Sequence, residues 1–77
     1  MVKGFIRRLL EHRGFGFIHS ENGRDVFFHR SQLVNLPFEA LREGQAVEFV
    51  IEETSQGPKA LRVRALSEGL TVPSEAD

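Results

Sequence analysis

The stretch HRGFGFIHSENGRDVFFH, His12–His29, decides the fold, because it holds two runs of large apolar residues on either side of a strong turn signal. Its Asn-Gly dipeptide is typical of a β-hairpin. Both faces of the two predicted strands carry large apolar side chains, which is more than the core of one small domain needs. The register of the hairpin therefore determines which rings are buried and which remain on the surface.

The length of the hairpin loop sets this register. A two-residue loop would pair Phe17 with Phe28 and mix the core and surface sets of side chains. A three-residue loop, Glu21–Gly23, with its glycine in the left-handed conformation, instead places Gly16 opposite Phe28. The missing side chain of Gly16 then leaves room for the Phe28 ring. We therefore predict the three-residue loop, with the even-numbered side chains facing the core.

The odd-numbered face of the same hairpin then carries an aromatic quartet, Phe15, Phe17, Phe27 and His29. In this register Phe15 lies opposite His29 and Phe17 lies opposite Phe27, and directly opposed Cβ atoms are about 5 Å apart. Because even-numbered residues already fill the core, the quartet is predicted to lie on the surface. An exposed aromatic patch of this kind is typical of a binding surface.

Gly and Pro separate five short apolar runs along the chain, a spacing that favours a small all-β barrel or sandwich. The runs are Val2–Leu10, Phe15–His19, Val26–His29, Val47–Ile51 and Leu61–Leu66. In the first run apolar residues occupy both parities around Arg7 and Arg8, so we expect a bend or a bulge there. In the last run, alternation predicts Leu61, Val63 and Ala65 on one side and Arg62 and Arg64 on the other.

The segment between the third and fourth runs lacks strand alternation. Ser31 could cap one short helical turn, and Pro37–Glu43 is equally compatible with a short helix ended by Gly44 and with a loop. The long loop Gln32–Gly44 would also permit exchange of strands into a domain-swapped dimer, although a monomer is the default expectation.

Length and composition allow a single domain. The chain has 77 residues and a formal net charge of −1, but residues 1–66 contain all ten Lys and Arg against eight acids, a net charge of +2. The remaining three acids lie in residues 67–77, which we predict to be a flexible acidic tail. The sequence has no cysteine, which excludes disulfides and thiolate metal sites. No apolar stretch resembles a signal peptide or membrane span, so a cytoplasmic protein without membrane contact is expected.

Aromatic rings interleaved with basic residues are typical of single-stranded nucleic-acid binding. Each base stacked on an aromatic side chain contributes about 1–3 kcal/mol with little sequence preference. Guanidinium groups can contact phosphates or lie on bases. The candidate basic residues are Arg7, Arg8, Arg13 and Arg30, with Lys59 and Arg62 from the last strand. The alternative is that the phenylalanines close a second small core or dock a partner protein.

The inventory of reactive side chains argues against an enzyme. The chain has three histidines, and the predicted pairing brings only His19 together with an acid, Asp25. A pair of this kind is typical of an exposed ion pair rather than a catalytic group. A zinc site needs three or four ligands, which the pattern does not assemble. We therefore predict a binding protein without catalytic residues, metal or cofactor.

Two motifs resemble the ribonucleoprotein motifs of the cold-shock domain family: RGFGFI at Arg13–Ile18 and DVFFH at Asp25–His29. The similarity extends to REGQAVEF, to Gly57–Ala60 and to Phe38, and spans about residues 2–66. The RNA recognition motif uses a sequence like the first motif but needs two amphipathic helices. No segment of this chain supplies such a pair of helices.

The resemblance implies a five-stranded antiparallel OB-fold barrel that grips single-stranded RNA or DNA. Many members of the family act as RNA chaperones that open unwanted base pairing, or as regulators of transcription or translation. Carried over by position, Phe15, Phe17, Phe27, His29 and Phe38 correspond to base-stacking residues, and Arg7 corresponds to a basic contact.

The sequence departs from the family pattern in its first strand and at two later positions. Where the family has lysine, tryptophan, phenylalanine and asparagine in its first strand, this chain has Arg7, Arg8, Leu9 and Leu10. Arg30 replaces a phenylalanine and Arg62 replaces an asparagine. Because two aromatic platforms have become guanidinium groups, we expect binding to shift from stacking toward electrostatics.

Overall fold

Within residues 1–66, which the computed structural model describes, five strands close into a barrel. The strands are β1 Val2–Leu10, β2 Phe15–Ser20, β3 Asp25–His29, β4 Ala46–Thr54 and β5 Gly57–Ala65. Their order around the barrel is β1-β2-β3-β5-β4. The predicted all-β class is confirmed. The predicted acidic tail, residues 67–77, lies outside the described residues.

The predicted antiparallel arrangement holds for four of the five neighbouring pairs, and the β3–β5 pair is parallel. Strand direction cannot alternate all the way round a closed ring of five strands, so at least one pair has to be parallel. At this junction Phe27 of β3 lies beside Lys59 of β5. Barrel closure therefore brings a basic residue of the last strand next to the aromatic quartet.

The hairpin between β2 and β3 has the predicted three-residue loop and the predicted register. The Ser20 amide donates to the Arg24 carbonyl at 2.8 Å, and Gly23 has a φ of 89°. Gly16 pairs with Phe28, and Phe17 pairs with Phe27. The even-numbered side chains of the hairpin consequently face the barrel interior.

The core consists of buried apolar side chains from all five strands and from the β3–β4 connection. They are Ile6, Ile18, Val26, Phe28, Phe38, Leu41, Val47, Phe49, Ala60 and Val63. Gly16 belongs to this packing, because a Cβ at its position would lie 2.5 Å from the Arg8 carbonyl oxygen and 2.9 Å from a Phe28 ring carbon. The Phe28 ring thus fills the space that Gly16 leaves.

Replacing Gly16 by alanine is therefore expected to destabilise the barrel by about 1–3 kcal/mol, the cost of overpacking a core. The added methyl group has to displace backbone as well as a ring. Gly23→Ala is the control, because a Cβ there meets nothing within 4 Å and adds only the strain of a positive φ. Urea unfolding followed by circular dichroism checks both variants, and an unchanged midpoint for Gly16→Ala would refute the tight Gly16–Phe28 contact.

The predicted bulge in β1 is present at Arg7. Ile6 pairs with Ile18 and Arg8 pairs with Phe17, so Arg7 is the extra residue between two regular pairs. Because of this extra residue, the consecutive side chains of Arg7 and Arg8 are both exposed. A bulge re-aims side chains in this way, and here it directs two basic groups to the surface beside β2.

The predicted alternation of β5 is wrong at its centre. Ala60 and Val63 are both buried although they are three residues apart. Arg62 lies between them with a φ of 56°, and the β4–β5 register shifts between Glu48 and Val50. One extra residue in a strand exchanges its two faces. Leu61 is consequently only half-buried.

The β3–β4 connection contains two short 3-10 turns, Arg30–Gln32 and Phe38–Ala40, and no helix spans Pro37–Glu43. His29, not Ser31, caps the first turn. In the second turn the side chains of Phe38 and Leu41, three residues apart, are both buried, and a single 3-10 turn aligns side chains at that spacing. Among the described residues no helix is long and apolar enough to cross a membrane.

Candidate nucleic-acid interface

The aromatic quartet lies on the outer face of β2 and β3, as the register predicts. Phe15 pairs with His29 and Phe17 pairs with Phe27 across the two strands. The three phenylalanines are half-buried and His29 is exposed. Their odd positions place them on the surface opposite the Phe28 side of the hairpin.

The three phenylalanine rings of the quartet contact one another at tilted or edge-on angles. The ring centroids of Phe15 and Phe27 are 5.3 Å apart at 45°, and those of Phe17 and Phe27 are 6.0 Å apart at 68°. Phe15 and Phe17 are perpendicular within a few degrees, at 6.2 Å and 89°. No two of these rings stack face to face, and all three are half-buried rather than buried, so part of their aromatic surface remains open to a flat ligand.

His29 is held by the turn that follows it. Its Nδ1 accepts a hydrogen bond from the Ser31 amide at 3.1 Å and lies 2.9 Å from the Ser31 hydroxyl oxygen. A neutral ring that accepts at Nδ1 carries its proton on Nε2. The Nε2 atom is therefore the donor left to a ligand at the edge of the quartet.

The β4–β5 hairpin forms the second wall of a groove along the quartet. Phe17 and Phe27 line this groove together with residues 54–59, including Lys59. The wall is anchored near its end by Arg24, whose guanidinium donates to both carboxylate oxygens of Glu53 at 2.7 and 3.1 Å. The hydrogen bond from Arg24 lowers the pKa of Glu53 below its ordinary value.

The bulge places Arg7 and Arg8 at the other side of Phe17. Both line a groove with Phe17 and Asp25. The Nε of Arg7 is 3.7 Å from an Asp25 oxygen, whereas Arg8 makes no ion pair among residues 1–66. Arg8 is therefore the guanidinium most available to a phosphate or a base beside the quartet.

The other three predicted arginines do not line either of the two grooves beside Phe17. Arg13 occupies the β1–β2 turn and lines a separate shallow groove of residues 9–13. Arg30 is 3.5 Å from a Glu39 oxygen. Arg62 is exposed on β5, and its amide donates to the Gln32 side chain at 3.2 Å. Of the predicted basic residues, Arg7, Arg8 and Lys59 thus line the grooves that contain Phe17.

The expectation that Phe38 is a base-stacking residue has to be corrected for this structure. Phe38 is only 4% exposed and packs on Phe28 with ring centroids 6.2 Å apart. Arg30 lies over its outer side, with the guanidinium carbon 6.0 Å from the ring centroid. The 3-10 turn and the hydrophobic gain from burying a ring direct Phe38 inward. It supplies core packing in this conformation, not a surface platform.

Sequence reasoning missed Phe5, which is 43% exposed on β1. Phe5 pairs with His19 of β2, and the two ring centroids are 5.4 Å apart. The predicted pair of His19 and Asp25 is present, with Nδ1 2.9 Å from a carboxylate oxygen. The odd position of Phe5 on β1, before the bulge, is the sequence signal for an outward side chain. Apolar residues occupy both odd and even positions in this run, so the pattern does not assign Phe5 to a face.

The carboxylates and histidines of the site do not assemble a metal centre. Within the part of the chain that the structure describes, no three His, Asp or Glu side chains come together in a group able to hold a metal ion. The surface itself presents aromatic rings, a histidine and positive charge.

The fold and this surface together define a class. A five-stranded barrel whose ligand face is formed by β2 and β3 is the architecture of the oligonucleotide-binding barrels. The family model described as "'Cold-shock' DNA-binding domain" matches residues 2–66. The chain belongs to the cold-shock domain family.

Relatives with known names agree with this assignment. The "Major cold shock protein" of Streptococcus pyogenes serotype M6 is 42% identical over 67 residues, covering 87% of this chain and 100% of the relative. The "Cold shock-like protein CspE" of Buchnera aphidicola subsp. Acyrthosiphon pisum is 46% identical over 66 residues, covering 84% and 96%. The solved structure of "drosophila Unr CSD456" superposes with a TM-score of 0.70 at 27% identity, covering 84% of this chain and 26% of that one.

Proposed function

We propose that this protein binds single-stranded RNA or DNA by stacking bases on Phe15, Phe17, Phe27 and His29. The observation that carries the proposal is the contact geometry of the three phenylalanines, which leaves their ring faces unstacked on an outer sheet face. Membership of the cold-shock domain family supports it. Unpaired bases fit this surface because duplex DNA or RNA hides its π faces within the helix.

Basic residues complete the proposed interface. Arg7 and Arg8 border Phe17 on one side, and Lys59 borders Phe27 on the other. These positions allow a strand whose bases lie on the quartet to place its phosphates against positive charge at both margins. In this proposal Arg13, Arg30 and Arg62, which line neither of these grooves, add positive charge around the interface.

A protein that holds unpaired bases opposes base pairing, since bases stacked on the quartet are withheld from a complementary strand. We therefore propose a role as an RNA chaperone or as a regulator of transcription or translation. The cytoplasm, where transcripts are translated, is the proposed compartment, and a monomer is the proposed binding unit. The competing function is a protein-interaction module that uses the same barrel.

Salt dependence tests the electrostatic part of this proposal. If about four to six phosphates are contacted, the slope of log K against log salt should be about −3 to −4 for a single strand. Labelled oligouridylate and oligothymidylate titrated at several salt concentrations measure this slope. A nearly flat slope would contradict the predicted role of the arginines, and no binding at any salt concentration would favour the protein-interaction module.

A pair of arginine variants sharpens the salt experiment. Arg8→Ala is expected to reduce the magnitude of the slope by about 0.7, the contribution of one phosphate contact in a single strand. Arg64→Ala is the matched control, because Arg64 is also exposed but lies opposite Glu48 in the β4–β5 pair. Equal slopes for the two variants would place Arg8 outside the interface.

A further inference from the structure

Phe5 and His19 form a second aromatic group on the outer face of the barrel, next to the quartet. Phe5 is 43% exposed, and its ring lies 5.4 Å from the His19 ring at an angle of 43°. The side chain of His19 is 35% exposed. An exposed phenylalanine beside a half-exposed imidazole is a platform of the same chemistry as Phe15 beside His29.

This second group is continuous with the quartet. His19 and Phe17 are two residues apart on β2, so their side chains stand on the same face about 6.6 Å apart along the strand. Phe5, His19 and Asp25 form one row across β1, β2 and β3, and Arg8, Phe17 and Phe27 form the next row. A ligand that continues from Phe17 along β2 therefore meets His19 next, with Phe5 beside it on β1.

The charges around this group suit the end of a nucleic-acid strand. Arg7 lies between the two aromatic groups, since it lines the same groove as Phe17 and contacts Asp25. The Asp25 carboxylate is itself engaged by His19 and by Arg7, which offsets its repulsion of a phosphate. Lys3 and Glu21 border the groove beside Phe5 and contribute opposite charges that cancel.

We propose that Phe5 and His19 form an additional base subsite, which receives the nucleotide that follows the one on Phe17. The inference rests on the proposed single-strand binding and extends its path across β1. In this proposal Arg8, which lines the groove beside Phe17, contacts the connecting phosphate, and Phe5 supplies the aromatic platform in the neighbouring row.

Affinity as a function of oligonucleotide length tests the subsite. Labelled oligothymidylates of about four to nine nucleotides, the lower part of the range of site sizes of such barrels, are titrated against wild type, Phe5→Ala and Phe17→Ala. Phe5→Ala should lower affinity about five- to tenfold for the longer strands and leave the shortest strands unaffected. The affinity of Phe5→Ala should also stop increasing with oligonucleotide length about one nucleotide earlier than that of wild type. Phe17→Ala should weaken strands of every length.

Three further variants exclude simpler explanations. Phe5→Tyr keeps an aromatic platform and should restore binding of long strands, and His19→Ala should reproduce part of the Phe5→Ala loss. Val50→Ala is the control for removing an exposed apolar side chain, because Val50 is 39% exposed on β4. It should bind as wild type does at all lengths.

The outcomes separate the subsite from the proposed function. If Phe17→Ala weakens binding while Phe5→Ala matches wild type at every length, the subsite is overturned and the proposed function stands. If Phe5→Ala weakens short and long strands equally, Phe5 acts by supporting the sheet, and the subsite is again overturned. If wild type binds no oligonucleotide, the proposed function fails together with the subsite.

Discussion

Replacing Phe28 by alanine is expected to lower the free energy of unfolding by about 3–5 kcal/mol. The Phe28 ring is 0% exposed, fills the space above Gly16 and packs on Phe38. Its removal leaves a cavity that a closed barrel cannot easily collapse, because the strands on either side are fixed by hydrogen bonds. A small domain has little stability to spare, so the variant is expected to be largely unfolded. Circular dichroism with a urea titration measures the loss.

Phe27 provides the matched control, since it is the same residue type one position earlier on the same strand. Phe27→Ala is expected to cost only about 1 kcal/mol, because the ring is half-buried and loses edge contacts with its neighbours rather than a place in the core. If the two variants lost equal stability, the odd-numbered rings would be part of the core and the assignment of the two faces would be wrong.

Replacing Phe17 and Phe27 together by alanine is expected to produce the largest loss of binding. Each ring contributes about 1–3 kcal/mol of stacking, so the double variant should lose about 2–6 kcal/mol, at least about thirtyfold in affinity. The two rings touch, and some departure from additivity is therefore expected. Because the chain has neither Trp nor Tyr, the fluorescent label has to be on the oligonucleotide.

The control for this loss is the removal of two exposed apolar side chains elsewhere on the barrel. Val34 and Val50 are 60% and 39% exposed, and neither lies on β2 or β3. The Val34→Ala, Val50→Ala double variant should keep the affinity of wild type. If it weakened binding as much as the double phenylalanine variant, the ligand would be attracted by apolar surface in general, and base stacking on the quartet would be refuted.

The β2–β3 hairpin was predictable because local rules determine it. A loop of three residues ending in a left-handed glycine allows one register, and the period of two along a strand then assigns every side chain to a face. The small space at Gly16 and the large ring at Phe28 are consistent with the same register. The central rings of the candidate interface follow from these rules without knowledge of the rest of the barrel.

Other features depend on contacts between distant parts of the chain, and the sequence pattern did not reveal them. The bulge at Arg62 exchanges the faces of β5 although alternation in the sequence continues through it. Phe38 lies in a connection where no paired strand determines the direction of the side chain, and its ring is buried in the core. The exposed position of Phe5 follows from the pairing of β1 with β2, which places Phe5 opposite His19.

The parallel contact between β3 and β5 illustrates the same limit. It joins Phe27 to Lys59, which are far apart in sequence, and arises from the closure of the five-stranded ring. Lys59 was predicted as a basic contact, but its place beside Phe27 is a consequence of topology. Charge positions around the quartet are therefore less predictable than the quartet, because exposed arginines and lysines are free of the packing that determines apolar side chains.

The central claim is that a single strand binds to the outward rings of β2 and β3 while the inward rings remain in the core. Carbon-13 NMR of phenylalanine-labelled protein titrated with oligouridylate tests this claim most directly, because the chain has only seven phenylalanines. The ring signals of Phe15, Phe17 and Phe27 are expected to shift strongly, and those of Phe28 and Phe49 are expected to stay in place. Unmoved signals from the first three rings in the presence of bound RNA would contradict the account.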